Sequence, residues 1–250
     1  MRLWPRVRGG LALLAAAALA SGCAHGATAP AAPAARPAAA RAATPPATAQ
    51  AAGATGRAAG ATATASAAAQ LVTVTAASYR ATYATLTAYR LSAGHRRRVF
   101  GPWTARIGRN GFAPPGLKRE GDGRTPSGTF GFGFFFGVLP DPGVRFRYRQ
   151  SQPYDFWDDD PASPHYNEWV DQRWVNPGLD PEPMDVSGYD YGAVIAYNTS
   201  RTPGLGSAIF LHVNIGTATA GCVTLPMGEL LRVLRWLNPA RSPRIEMGVR

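Results

Sequence analysis

Two cysteines in 250 residues are too few for a disulfide-stapled scaffold or for a paired-cysteine zinc site. No acidic residue occurs before Glu120, whereas six arginines fall before residue 71. The net charge of +11 is therefore concentrated in a tail, and residues 71–250 carry 20 basic against 15 acidic side chains. Charge of that origin describes solubility rather than a nucleic-acid partner, and none is expected. Lys118 is the only lysine, so the basic character is almost entirely arginine. The apolar run Leu11 to Ala20 is half the ~20 residues a membrane-spanning helix needs. Neither a Gly-x-Ser-x-Gly elbow nor a His-Glu-x-x-His helix occurs, which removes two hydrolase signatures.

What is present at the N-terminus reads as an export signal. Arg2, Arg6 and Arg8 form a basic segment, and Leu11 to Ala20 suits a signal-peptide core. Leu19-Ala20-Ser21-Gly22-Cys23 resembles a bacterial lipobox, with Ala20 where Leu is preferred. Residues 1–22 are expected to be removed and Cys23 lipidated. An ordinary signal peptide cleaved near Ala24 is the alternative. Residues 23–70 are mostly Ala, Thr, Pro and Gly, without the large apolar side chains that offset ordering entropy, so a flexible tether is expected.

Residues 71–250 read as one β-rich domain, long enough to bury a core. Leu71 to Thr75 alternates with period two, and Tyr83 to Leu91 with Arg98 to Ile107 reads as a hairpin turning at Ser92 to His95. Gly and Pro are so dense in 108–128 that only loops and turns are expected there. Thr129 to Val138 reads as an aromatic strand with Phe130, Phe132 and Phe134 at period-two positions. Ala193 to Asn198 and Ala208 to Asn214 read as short buried strands. Leu230, Leu231, Val233, Leu234 and Leu237 form one helix face opposite Arg232 and Arg235, and Asn238-Pro239 stops the helix. Arg244 to Val249 reads as a last strand. The triad Asp158 to Asp160 before Pro161 reads as a capped turn rather than a metal site, and His95 as a solvated turn residue.

The chemistry lies in His212 and Cys222. Alternation in 209–214 places His212 on the face of Phe210 and Asn214, opposite Ile209, Leu211 and Val213. Ten residues reach ~33 Å extended, so a chain turning at Gly216 can return Cys222 to the histidine. Gly221 permits a bend and a close substrate approach. A thiol before a helix is expected to have its pKa lowered by the dipole and by an adjacent imidazole. A lone cysteine with a histidine is a nucleophile candidate, and a buried structural cysteine beside a core histidine is the alternative.

Thr219 to Leu225, the upstream His212 and the segment Lys118 to Phe130, with Thr125-Pro126-Ser127-Gly128-Thr129-Phe130 at its centre, together resemble the L,D-transpeptidase catalytic domain (YkuD-like) family. Ala220 stands at the position of the motif's own histidine, Thr224 where Asn or Arg is usual, and the His212–Cys222 spacer is shorter than the common form. The resemblance implies a mainly β fold, a β-sandwich or open barrel of mostly antiparallel strands with one or a few helices, over residues 71–250. It implies that Cys222 attacks the L,D bond of a peptidoglycan stem peptide with His212 as base. Backbone N–H groups of Gly221 and Cys222 hold the oxyanion, and an amine or water takes the acyl group. No metal or organic cofactor is implied, and carbapenem-type β-lactams are expected covalent inhibitors. Thr219, Asn214, Tyr197 and Trp157 are expected to contact substrate. The aromatic residues and acids of 141–190 either frame the substrate's amines or form a satellite core. A wall-binding lipoprotein without catalysis and a cysteine peptidase acting on proteins remain as alternatives. The expected location is the outer face of the cytoplasmic membrane or the cell wall.

Overall fold

A computed structural model describes residues 69–250. The basic leader, Cys23 and the tether up to residue 68 lie outside the described residues. The chain first forms β1 (Ala69–Ala76), β2 (Tyr83–Ser92), β3 (His95–Arg106), β4 (Phe112–Ala113), β5 (Thr125–Pro126), β6 (Gly128–Phe130) and β7 (Phe132–Gly137). β8 (Tyr148–Gln150), β9 (Asp155–Asp158), β10 (Glu168–Asp171) and β11 (Glu182–Pro183) follow. Next come β12 (Gly192–Ile195), β13 (Phe210–Val213), β14 (Val223–Leu225), helix α1 (Met227–Trp236) and β15 (Arg244–Val249). Ten strands make one mixed sheet in the order β6-β15-β1-β2-β3-β14-β13-β12-β7-β8, and β10-β9-β11 make a separate small one. Most pairs are antiparallel, as a mainly β fold with one α-helix was expected to be. The parallel exceptions are β1–β15, β13–β14, β7–β8 and β4–β5.

The hairpin β2–β3 closes through Ala93 and Gly94, both at positive φ, a two-residue turn whose twist matches the strands it joins. α1 buries Leu230, Val233 and Leu234 and leaves Arg232 and Arg235 in solvent. Glu229 in its first turn and Arg235 in its last complement the helix dipole. Residues 108–128 are not loops alone. Phe112–Ala113 and Thr125–Pro126 pair in parallel and are fully buried, because Gly108 donates to Thr125 Oγ1 and holds the two stretches together.

The aromatic strand also departs from its period-two reading. Gly131 interrupts it, so β6 pairs with β15 and β7 with β12. Phe135 and Phe136 are then fully buried on opposite faces, whereas Phe130, Phe132 and Phe134 are half-buried. A β-strand covered on both sides has no polar face for alternation to mark. β13 is covered on both sides too. Leu211 and Val213 join the core that includes α1, while Phe210 packs with Phe136, Trp157 and Cys222 on the other side.

Candidate active site

Alternation in β13 and the register of β14 place the histidine and the cysteine. His212 is opposite Thr224 in the parallel pair, and Cys222 lies two residues before Thr224 along the chain. Cys222 is therefore beside Phe210, whose N–H donates to the cysteine Sγ at 3.3 Å. His212 and Cys222 are diagonal neighbours on one sheet face, and both line one cavity of about 380 Å³. That volume is of ligand-binding size. Glycine suits this corner, because a Cβ at Gly221 would lie 3.0 Å from both Arg124 O and Ile209 Cδ1 and would crowd them.

The imidazole is oriented by backbone. His212 Nδ1 lies 3.1 Å from Gly188 O and 3.0 Å from Val213 O, and a carbonyl only accepts. Nδ1 thus carries the proton, and Nε2 is the bare nitrogen. Gly188 at φ +95° turns its carbonyl onto the ring, and a Cβ there would strike Ile215. Tyr189 then packs edge-on against His212, ring centroids 4.9 Å apart. Burial lowers the His212 pKa to about 4, partly opposed by the two carbonyls, so the ring is neutral above about pH 5.

The thiol is held apart from the imidazole. Cys222 Sγ donates to Ala208 O at 3.2 Å and makes no direct hydrogen bond to His212. Burial, and then the Glu182 carboxylate, push the thiol pKa far up, against the pull of the Phe210 N–H and Lys118. The expected lowering by the helix dipole is thus overturned, because β14 stands between Cys222 and the start of α1. The pair rests as neutral thiol and neutral imidazole.

Of the expected substrate contacts, only Thr219 lines the cavity. Its Oγ1 donates to Cys222 O at 2.7 Å and accepts the Gly221 N–H at 3.1 Å, which shapes the turn. The Gly221 N–H is therefore engaged within its own loop rather than open for an oxyanion. Trp157 and Tyr197 lie away from the cavity. Trp157 packs on Phe210 and donates to Asn167, and the Tyr197 hydroxyl donates to Leu205 O. Asn214 accepts from Gly216 N at 2.7 Å and closes the next turn. Of the aromatic residues of 141–190, Trp157, Trp169 and Tyr189 join the satellite core, Phe146 and Tyr148 pack on the main core, and Trp174 is 80% exposed. Tyr189, which was not singled out, is the aromatic side chain against the histidine.

Two acids of 141–190, the segment expected either to frame the substrate's amines or to form a satellite core, reach the cavity, and a third joins them from outside it. Glu120, Asp159 and Glu182 line the cavity together with Lys118. They come from three separate segments, and no spacing signals their meeting. Among the described residues, no group of His, Cys, Asp and Glu is arranged to hold a metal ion. The Asp158–Asp160 stretch is the expected turn, with Asp158 accepting from Ser163 and Asp160 from Ala162 and Leu179.

Burial, then Glu182 and Glu120, raise Asp159 to about 7, with Asp158 adding a little. The folded state therefore holds this proton more tightly than the unfolded chain. Stability from it is present below about pH 4 and lost as pH rises toward 7. Asp159→Asn should accordingly stabilise the protein at pH 8 by about 1–2 kcal/mol, after discounting for partial exposure. The gain should fade near pH 4. Glu120, Glu182, Asp158 and Lys118 face the same carboxyl, and His212 titrates with the opposite sign, so the difference between variant and parent melting curves is the quantity to measure. Identical differences at pH 8 and pH 4 would refute the assignment.

A family model for the YkuD, L,D-transpeptidase catalytic domain matches residues 81–245. No curated protein and no solved structure matches the chain.

Proposed function

The chain belongs to the L,D-transpeptidase catalytic domain family, and we propose that it is an exported enzyme forming a Cys222 thioester with a peptidoglycan stem peptide. The observation that carries this reading is the shared cavity, with the bare His212 Nε2 and the Cys222 thiol on one sheet face. In the proposed reaction the thiol turns from Ala208 O toward the cavity, and His212 Nε2 takes its proton. The sulfur attacks the carbonyl between the third and fourth residues of the stem. The resulting imidazolium is stabilised by the Gly188 and Val213 carbonyls and returns the proton to the leaving D-amino acid. An amine of a second stem then displaces the sulfur to give a cross-link, or water does so to give the free acid. With the Gly221 N–H tied to Thr219, the Cys222 N–H is the proposed oxyanion donor, a role whose loss costs about 3 kcal/mol in other enzymes.

The leader and the lipobox-like Cys23 support export and anchoring at the outer face of the cytoplasmic membrane, with residues 23–70 as the tether. Intact-mass spectrometry of membrane-expressed full chain with a tetrapeptide stem tests both parts. The expected record is a lipid mass on a chain starting at Cys23, an acyl increment on Cys222 and release of the terminal D-residue. A folded chain that is inert to the stem and to a carbapenem across pH 6–9 would sink the catalytic reading. The buried, Ala208-bound thiol and Ala220 at the motif's histidine position favour a wall-binding lipoprotein in that case.

A further inference from the structure

The tip of the β2–β3 hairpin carries a charge pattern that the fold does not use. Leu91 is opposite Arg96 there, Arg90 opposite Arg97, and Tyr89 opposite Arg98. Arg96, Arg97 and Arg98 are exposed and Arg90 is half-buried. Arg90 and Arg97 are like charges directly opposed across two antiparallel strands, an arrangement that destabilises a sheet. No carboxylate within β1, β2 or β3 offsets it, because neither Asp nor Glu occurs before Glu120. Glu246 on β15 lies 3.5 Å from Arg96, in a pair about half exposed on both sides, and such pairs contribute little. Arg90, Arg97 and Arg98 form no ion pair among the described residues.

Two placements point to what this tip faces. The chain enters the domain beside it: Ala69, the first residue of β1, is opposite Leu91, and Gln70 is opposite Arg90. A chain running from Cys23 therefore joins the sheet at its basic end. Arg244, exposed at the start of β15, lies at the same end, opposite Leu71. The cavity lies at the other end. Thr224 is opposite Arg106, the last residue of β3, whereas Arg97 is the third residue of that strand. Because β14 runs antiparallel to β3, Cys222 lies beyond Arg106 on the side away from the tip. The strand from Arg97 to Arg106 spans up to roughly 30 Å at ~3.3 Å per residue.

We propose that the β2–β3 tip is a docking surface for an anionic phospholipid membrane, with Arg90, Arg96, Arg97 and Arg98 binding the headgroup phosphates. A guanidinium offers phosphate a planar fork of donors, and a basic cluster without carboxylates of its own is attracted to an anionic headgroup layer. A soluble phosphodiester polymer shares that chemistry, but the entry of the chain from Cys23 at the same end favours the membrane. Docked in this way, the domain stands on its basic end and holds the Cys222 cavity up to ~30 Å from the lipid surface, directed outward. The inference goes beyond the thioester reading and takes from the proposed function only the attachment of the chain at Cys23.

Vesicle co-sedimentation of the full chain carrying Cys23→Ala, which has no lipid of its own, tests this. The anionic vesicles are equal parts phosphatidylglycerol and phosphatidylcholine, and the neutral ones are phosphatidylcholine alone. Arg96→Gln, Arg97→Gln and Arg98→Gln together should weaken binding to the anionic vesicles about 10²-fold, from about fivefold for each arginine near such a surface. The melting temperature should stay level or rise, since the change relieves the opposed Arg90–Arg97 pair. The control is Arg80→Gln, Arg109→Gln and Arg147→Gln, three exposed arginines away from the tip, which removes the same charge and should cost no more than a few-fold. Arginines before residue 71 are present in every variant, so the comparison isolates the tip. For the parent, raising salt from about 0.05 M to 0.5 M should release the anionic vesicles, because screening shortens the electrostatic reach to a few ångströms. Equal losses in the two triple variants, salt-insensitive binding, or parental binding without the tip arginines would overturn the surface. Tip-dependent binding to soluble poly(glycerol phosphate) but not to vesicles would also overturn it, in favour of a wall polymer. Vesicle binding needs neither the thioester nor the lipid, so a chain inert to stem peptides can still bear out the docking surface, and an active enzyme can still refute it.

Discussion

Cys222→Ser in the full chain is expected to lower acyl-enzyme formation by roughly 10³-fold or more while leaving the fold intact. Two bonds made by the sulfur explain why the fold should survive. Sγ accepts from Phe210 N and donates to Ala208 O, and a serine hydroxyl of similar volume can do both. Chemistry should not survive, because an alcohol lacks the nucleophilicity that a thiol gains when His212 takes its proton. The second cysteine, Cys23, is an internal control, since a Cys23→Ala chain should acylate at the parental rate. Thermal unfolding and intact mass with a carbapenem measure the two halves. An unchanged melting curve with a parental rate of adduct formation would remove Cys222 from the mechanism.

His212→Ala should slow acylation at neutral pH by about 10²–10⁴-fold, the usual range for loss of a general base. The buried environment adds a signature in pH. The parent's activity needs the neutral ring, so its acid limb should fall through about pH 4 rather than near 6.5. Below that value Nε2 carries a proton and cannot accept the thiol's. In His212→Ala only spontaneous ionisation yields thiolate, and burial holds the thiol pKa well above the working range. The variant's rate should therefore climb about tenfold per pH unit from 6 to 9 without a plateau. A flat profile with weakened binding would make His212 a positioning residue instead.

Local pattern reached far into the fold. The β2–β3 hairpin, α1 and β15 were legible because each has its own signal: a turn sequence, a 3.6-residue apolar face, a terminal alternating run. The assignment of His212 to the face of Phe210 followed from alternation in one strand. The β4–β5 pair was not legible, since two-residue strands have no period and depend on a partner thirteen residues away. Neither was the break at Gly131, because the choice between β15 and β12 as neighbours belongs to the sheet and not to the segment.

The sequence alone determined which two side chains are the candidates for nucleophile and base, through the Gly221-Cys222 corner and the upstream His212, and which family the chain belongs to. It also determined that one helix would accompany a mainly β domain. Tertiary structure decided everything that depends on what stands next to what. It tied the Gly221 N–H to Thr219, set Trp157 and Tyr197 aside from the cavity, and turned the thiol toward Ala208. It raised the thiol pKa where a helix dipole had suggested the reverse, and it gathered Glu120, Asp159 and Glu182 at the cavity of Cys222 and His212. The reason is physical: periodicity and turn chemistry act over a few neighbouring residues. Burial, hydrogen-bond partners and electrostatic fields are set instead by atoms that the chain brings together from dozens of residues away.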